Sequence, residues 1–145
     1  MRSACLLLMV LASPGLAADP APSDRGMEGF VTVDRLPVPS DPVLARGREI
    51  WGGTCQNCHG GDSLTGAPKV TSTRAWAPRI DQGMEVLIEH AINGFIGPRY
   101  TEMPARGGKE DLSDTAVSSA VAFMVWASGG AEIATAFAQS LTEKD

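Results

Sequence analysis

The chain has 145 residues, of which 43% are apolar, 20% charged and only 6% aromatic, with a formal net charge of −5. That length suits a single domain around one core, and an acidic chain lacks the basic footprint of a general nucleic-acid binder. Three cysteines and two histidines confine any metal or thiol chemistry to very few side chains.

The first residues, Met1-Arg2-Ser3, precede an apolar run from Ala4 to Ala12 that Ser13-Pro14-Gly15 breaks. Small residues at Gly15-Leu16-Ala17 follow, so residues 1–17 read as a secretory signal peptide cleaved near Ala17/Ala18. The run falls well short of the ~20 apolar residues a membrane-spanning helix needs, and no span is expected in the mature chain. Cys5 leaves with the signal, which leaves two cysteines. Loss of Arg2 takes the net charge to −6. Residues 18–40 carry Pro20, Pro22, Pro37 and Pro39 and read as an extended arm. Either Phe30, Val31, Val33 and Leu36 pin it to the domain surface, or it is a loose linker.

Asp41-Pro42 has the form of a helix start, with Asp as N-cap and Pro at the first helical position. The helix carries Val43, Leu44, Gly47, Ile50 and Trp51. A helical glycine costs up to ~1 kcal/mol, so Gly47 predicts a close helix crossing. The helix leads through Gly52-Gly53 into Cys55-Gln56-Asn57-Cys58-His59.

That pentapeptide is Cys-X-X-Cys-His, the signature of covalent c-type haem attachment. On one helical turn Cys55 and Cys58 share a face, with Cβ atoms roughly 5–6 Å apart, so two thiols reach two vinyl groups on one porphyrin edge. His59 projects from the same side, and imidazole suits iron. The alternatives are a thiol redox pair or part of a zinc site. Zinc would need about two more soft ligands, and only one other Cys and one other His exist. Haem attachment of this type takes place outside the cytoplasm, so motif and signal peptide agree on an expected periplasmic location.

From Gly60 to Ala77 the chain has little periodicity and many turn residues. A loop after a haem-binding His often supplies a carbonyl to its second ring nitrogen, and Pro68 is the candidate; an ordinary turn proline is the alternative. Trp76 and Arg79 are candidates to bind a buried propionate, or else plain surface packing. Asp81 to Asn93 is amphipathic, with Met84, Leu87, Ile88, Ala91 and Ile92 on one face and Gly94 as its stop. His90 lies toward the other side, a solvated helical His rather than a rival iron ligand. In the loop Phe95–Gly108, Pro104 biases Met103 toward an extended shape. Met84 and Met124 fit helix faces as core filler, and Met27 sits in the arm, so Met103 is the expected distal iron ligand. Ser113 caps the next helix, whose stripe is Val117, Ala120, Val121 and Met124, with Phe123 and Trp126 on its flanks. Ala120 is expected to face Gly47, and Phe123 to meet Trp51. Gly129-Gly130 ends that helix. Ile133, Phe137 and Leu141 suggest a short helix in the tail, residues 129–145.

These residues resemble the class I monohaem cytochromes c, and within them the bacterial cytochrome c5 family. The match runs from Val43 to Ser128 and includes Gly47 and Trp51 before Cys55. The narrower c5 pattern is carried by Gly66-Ala67-Pro68-Lys69, Ala75-Trp76 with Arg79, Met103-Pro104 with Gly107-Gly108, and Leu112-Ser113-Asp114. The stretch from Gly94 to Met103 is longer than in compact members, the extra cysteine pair of some c5 proteins is missing, and arm and tail lie outside the pattern.

The resemblance implies an all-α cytochrome c-like fold, residues 41–128, wrapped around one covalently bound haem c with few or no strands. It implies His59 and Met103 as the axial ligands of the iron, with the Pro68 carbonyl on His59. It further implies a one-electron carrier between redox partner proteins, not itself an enzyme. The alternatives are a haem-bearing subunit of a larger periplasmic redox enzyme, or an open sixth site if Met103 does not bind. Residues 69–109 hold six bases (Lys69, Arg74, Arg79, Arg99, Arg106, Lys109) against four acids, a local +2 on an acidic protein. That balance suggests docking on an acidic patch of a partner.

Overall fold

In a computed structural model, which describes residues 22, 24–61, 64–98 and 101–142, the Asp41 carboxylate accepts the backbone N–H groups of Val43 and Leu44 at 2.9 and 3.0 Å. This cap and Pro42 start α1 (Pro42–Ile50), as the sequence predicts. A single π turn (Trp51–Cys55) carries the chain into the short α2 (Gln56–His59). Residues 1–17, read from the sequence as a signal segment, and Ala18 after them lie outside the described residues, as does Arg99.

Helix α1 crosses the central helix α5 (Asp114–Ala127) at Gly47. A Cβ on Gly47 would lie 2.0 Å from the Ser119 carbonyl oxygen and 3.1 Å from the Ala120 nitrogen. The two backbones therefore touch, which only a glycine allows. Trp51, one turn further on, meets Phe123 with ring centroids 5.9 Å apart, and Phe123 stacks on Trp126. Both predicted pairings across this crossing are present. Ser113 caps α5, its Oγ accepting the Ala116 N–H at 3.2 Å.

The sequence predicts one apolar stripe on α5, but every residue from Ala116 to Ala127 is buried. The reason is the tail. Helix α6 (Ala131–Thr142) packs on α5 and covers its outer side. The tail is helical, as expected, but a different face is buried: Ala134 and Ala138 are enclosed, whereas Ile133 is 37% exposed. Small side chains let α6 approach α5 closely, a spacing that Ile133 and Leu141 would prevent.

Between the motif and Asp81 the sequence suggests only loop, yet Thr73–Ile80 forms α3, with Pro78 inside it. Helix α4 starts at Met84, later than Asp81, because Gly83 adopts φ +91° and breaks the chain there. Met84, Leu87 and Ala91 are buried. Two two-residue strands, β1 (Phe95–Ile96) and β2 (Glu102–Met103), pair antiparallel with Phe95 opposite Met103. They are the only sheet among the described residues, so the fold is all-α. A tight turn, Ala105–Gly108, joins this hairpin to α5.

The arm is pinned. Val31 and Leu36 are enclosed in the core, Val33–Arg35 forms a 3-10 turn, and Phe30 remains 44% exposed. Arg48 of α1 donates to the carbonyls of Val33 and Leu36.

Replacing Gly47 by Ala forces the α1–α5 crossing apart and should cost at least ~2 kcal/mol. Gly53, whose added Cβ meets nothing within 4 Å, should tolerate Ala within about 0.5 kcal/mol. Guanidinium unfolding midpoints of the two variants check the contrast.

Candidate haem site

Cys55 ends the π turn and Cys58 sits in α2, both as half-buried free thiols. Burial, with a smaller contribution from neighbouring Cys58, pushes the Cys55 thiol up to about 11. At neutral pH it is a neutral thiol, a poor attacking group in disulfide exchange, which counts against a thiol redox pair. No group of three or more His, Cys, Asp or Glu side chains able to hold a metal occurs among the described residues, which counts against zinc.

His59 is buried, and its Nδ1 lies 2.8 Å from the Pro68 carbonyl oxygen. A carbonyl only accepts, so Nδ1 carries the proton and Nε2 presents its lone pair. Burial holds the imidazole below its ordinary pKa; the Pro68 bond opposes this and the Arg79 charge reinforces it. A neutral ring with a free Nε2 is the form a metal binds. The carbonyl proposed from the sequence is thus in place beside His59.

The segment 68–71 is held at each residue. The Val70 N–H donates to the His59 carbonyl at 2.7 Å, and the Lys69 carbonyl accepts Trp76 Nε1–H at 2.9 Å. The Thr71 N–H donates to Ser128 Oγ at 3.1 Å. Thr71 has φ +72°, a conformation that strains a β-branched residue by ~1–3 kcal/mol and survives because its neighbours are fixed. The N–H of Trp76, read from the sequence as a candidate propionate donor, is used here within the loop. Trp76 packs beside His59, ring centroids 5.9 Å apart. Arg79 lies close enough to His59 to act on its charge, but donates one N–H back to the Ala75 carbonyl of its own helix.

Met103 is half-buried, and it lines an apolar cleft together with Cys55, Ala91, Val117 and Met124. The sequence-predicted residues Cys55 and Met103, far apart in the chain, therefore meet on one cavity. Thr54 joins the two sides, its Oγ1 donating to the Gly107 carbonyl at 2.9 Å. Met84 is core filler as expected, whereas Met124, though buried, also faces the cleft. His90 is not simply solvated: its ring stacks on Phe95 at 4.2 Å, behind the strand that pairs with Met103.

Sequence reasoning missed Thr54, Ser128 and the structural use of Lys69. Their contacts span 53, 57 and about 40 residues, and no local pattern marks them. The cationic rim is also thinner than the count suggests. Lys69 binds backbone carbonyls of the arm, and Arg106 donates to the Leu112 carbonyl and pairs with Asp114 at 2.6 Å. Arg74 and Lys109 are exposed.

Two thiols on one turn, a neutral imidazole with Nε2 free, and an apolar cleft reaching from Cys55 to a thioether fit a covalently held haem. Trp51 Nε1, buried without an acceptor among the described residues, is a further polar atom that protein groups do not satisfy.

Residues 42–124 match the family described as "Cytochrome C oxidase, cbb3-type, subunit III". The chain is similar to cytochrome c-555 of Chlorobaculum tepidum, 44% identical over 81 residues, 56% of this chain and 73% of that protein. Cytochrome c-555 of Prosthecochloris aestuarii is 40% identical over 85 residues, covering 57% and 85%. Cytochrome c5 of Ectopseudomonas mendocina is 36% identical over 69 residues, covering 46% and 72%. A solved structure, "Crystal structure of electron transfer complex of nitrite reductase with cytochrome c", superposes with a TM-score of 0.51 at 32% identity, over 61% of this chain and 96% of that one. With more than half of its residues inside that family's span and the Cys55–His59 motif intact, the chain belongs to the cytochrome c family, as a class I monohaem member resembling cytochrome c5 with one covalently attached haem c.

Proposed function

We propose that this protein is a periplasmic one-electron carrier whose haem is bound through Cys55 and Cys58 and ligated by His59 and Met103. The observation that carries the reading is the meeting of Cys55 and Met103 on one apolar cleft, with His59 Nε2 left free by the Pro68 bond. Haem bound here would supply one-electron chemistry. Cys55 and Cys58 would hold the porphyrin edge, and His59 and Met103 would serve as the protein ligands of the iron, leaving no place for a substrate or oxygen. The apolar walls from Ala91, Val117 and Met124 keep water away, and the thioether favours the reduced iron. Burial of His59 keeps its ring unprotonated and available as a ligand. These roles describe an electron-transfer protein and not an enzyme.

The exported location rests on the signal-like pattern of residues 1–17 and on the chemistry of haem attachment. No helix among the described residues is long and apolar enough to cross a membrane. The docking idea rests on the charge count of residues 69–109 in the sequence; in the structure Arg74 and Lys109 are its exposed cations among the described residues, beside the exposed acids Asp81, Glu85, Glu89 and Glu102. Partner electron-transfer rates should fall as salt rises, and a flat ionic-strength profile would refute the docking idea.

A second reading is favoured by the family's description as an oxidase subunit: a haem-bearing subunit fixed in a larger redox enzyme, with arm and tail as docking elements. Size-exclusion of a native periplasmic extract separates the two, since a carrier elutes near its own mass.

Carbon monoxide tests the ligation. The reduced wild type should resist it, and Met103→Ala should take it up readily. The potential of that variant should fall by ~100 mV or more, well inside the ~0.8 V range that axial ligands span. Ready uptake by the wild type would overturn the six-coordinate assignment.

A further inference from the structure

Lys69 holds a charged donor between two neutral acceptors. Its Nζ donates to the carbonyls of Met27 and of Gly29, the second at 2.6 Å. Both acceptors belong to the arm, outside the residues 42–124 that match the family. On its backbone side Lys69 stands between Pro68, whose carbonyl accepts from His59 Nδ1, and Val70, whose N–H donates to the His59 carbonyl. Its own carbonyl holds Trp76, which packs on the imidazole. One residue therefore joins the arm to the Pro68–Val70 segment that contacts His59 and Trp76.

The arm lies flat on the turn that carries His59. The Val31 N–H donates to the Gly60 carbonyl at 2.7 Å, and the Val33 N–H donates to Gln56 Oε1 at 3.0 Å. A Cβ on Gly60 would meet Phe30 at 2.6 Å and the Val31 oxygen at 2.7 Å, so there is no gap between arm and turn. Arg35 gathers the arm's own carbonyls, donating to Gly26, Glu28 and Phe30. That presents the segment to Lys69 as a preformed loop and limits the entropy lost in binding it.

We propose that residues 26–36 form a strap over the histidine-bearing turn, with Lys69 as the positioning residue that fixes the loop whose Pro68 carbonyl orients His59. The strap rests on the reading of His59 as the axial histidine. Its chemistry is simple: an ammonium on two carbonyls is a charge-assisted pair of hydrogen bonds, stronger than neutral ones. Without it the strained segment ending at Thr71 keeps its own bonds but loses its tie to the arm, and the His59–Pro68 bond opens more often. Lys69 then serves ligand orientation, not partner docking.

The test is hydrogen exchange of the His59 Nδ1–H, followed by NMR in the reduced, diamagnetic holoprotein. Lys69→Met keeps the packed stem and removes the charge; exchange should be about tenfold faster or more, the size of losing a charge-assisted bond. Lys69→Arg should restore slow exchange, and Arg74→Ala, which removes an exposed cation, should not change it. Deleting residues 24–30 removes the acceptors and should accelerate exchange as Lys69→Met does. Adding Lys69→Met to the deletion should then have no further effect, because both cut one interaction. The carrier reading fails separately, on the visible spectrum of the wild type. Exchange in Lys69→Met within about twofold of wild type, or additive effects of Lys69→Met and the deletion, would overturn the strap.

Discussion

The contact between the backbones of α1 and α5 at Gly47 is the constraint on which the site depends. With the Ser119 carbonyl where a Cβ of residue 47 would stand, the two helices have one possible separation. That separation sets where Trp51 meets Phe123 and where the π turn delivers Cys55. It also makes α5 a wall, since Val117 and Met124 on the same helix line the cleft that Cys55 enters. Helix α6 closes the far side of α5 with alanines, so the wall is supported from behind. A cofactor cleft needs walls that do not collapse, and a backbone contact is stiffer than any packed pair of side chains.

Two different solutions hold the two faces of the site. On the His59 side, consecutive backbone groups from Pro68 to Thr71 are all engaged, and burial keeps the ring neutral. The rigidity costs strain at Thr71, which the surrounding bonds offset. On the Met103 side the support is lighter: a two-residue hairpin, the Thr54–Gly107 bond and the Arg106–Asp114 pair, whose aspartate is well exposed. Such exposed pairs contribute ~0–1 kcal/mol. The loop that carries Met103 is therefore more lightly held than the segment that orients His59.

Much of this was legible in the sequence because it is local. Asp41-Pro42 and Ser113 start helices by capping chemistry within one turn, and the Cys55–His59 spacing is itself a statement of geometry. Gly47 announced a crossing because a glycine inside a helix has few other reasons to be there, and Pro68 was a candidate carbonyl from its place in the loop after His59. The misses are non-local. Helix α3 escaped because Pro78 and the neighbouring turn residues hide its period, and it forms by packing Trp76 beside His59. The all-round burial of α5 depends on α6, which follows it in the chain. The partner of the Trp76 N–H, read from the sequence as a candidate propionate donor, is a backbone oxygen that no composition reveals. Lys69 was counted among surface charges for the same reason.

The family membership establishes a covalently attached haem c, and the proposed reading has it held by His59 and Met103, with electrons as the only species exchanged. That reading makes one spectroscopic demand. The oxidised protein should show the weak far-red absorption of charge transfer between a methionine sulfur and ferric iron, as Met103 ligation requires. A ferric spectrum without that band, or one of a five-coordinate centre, would contradict it.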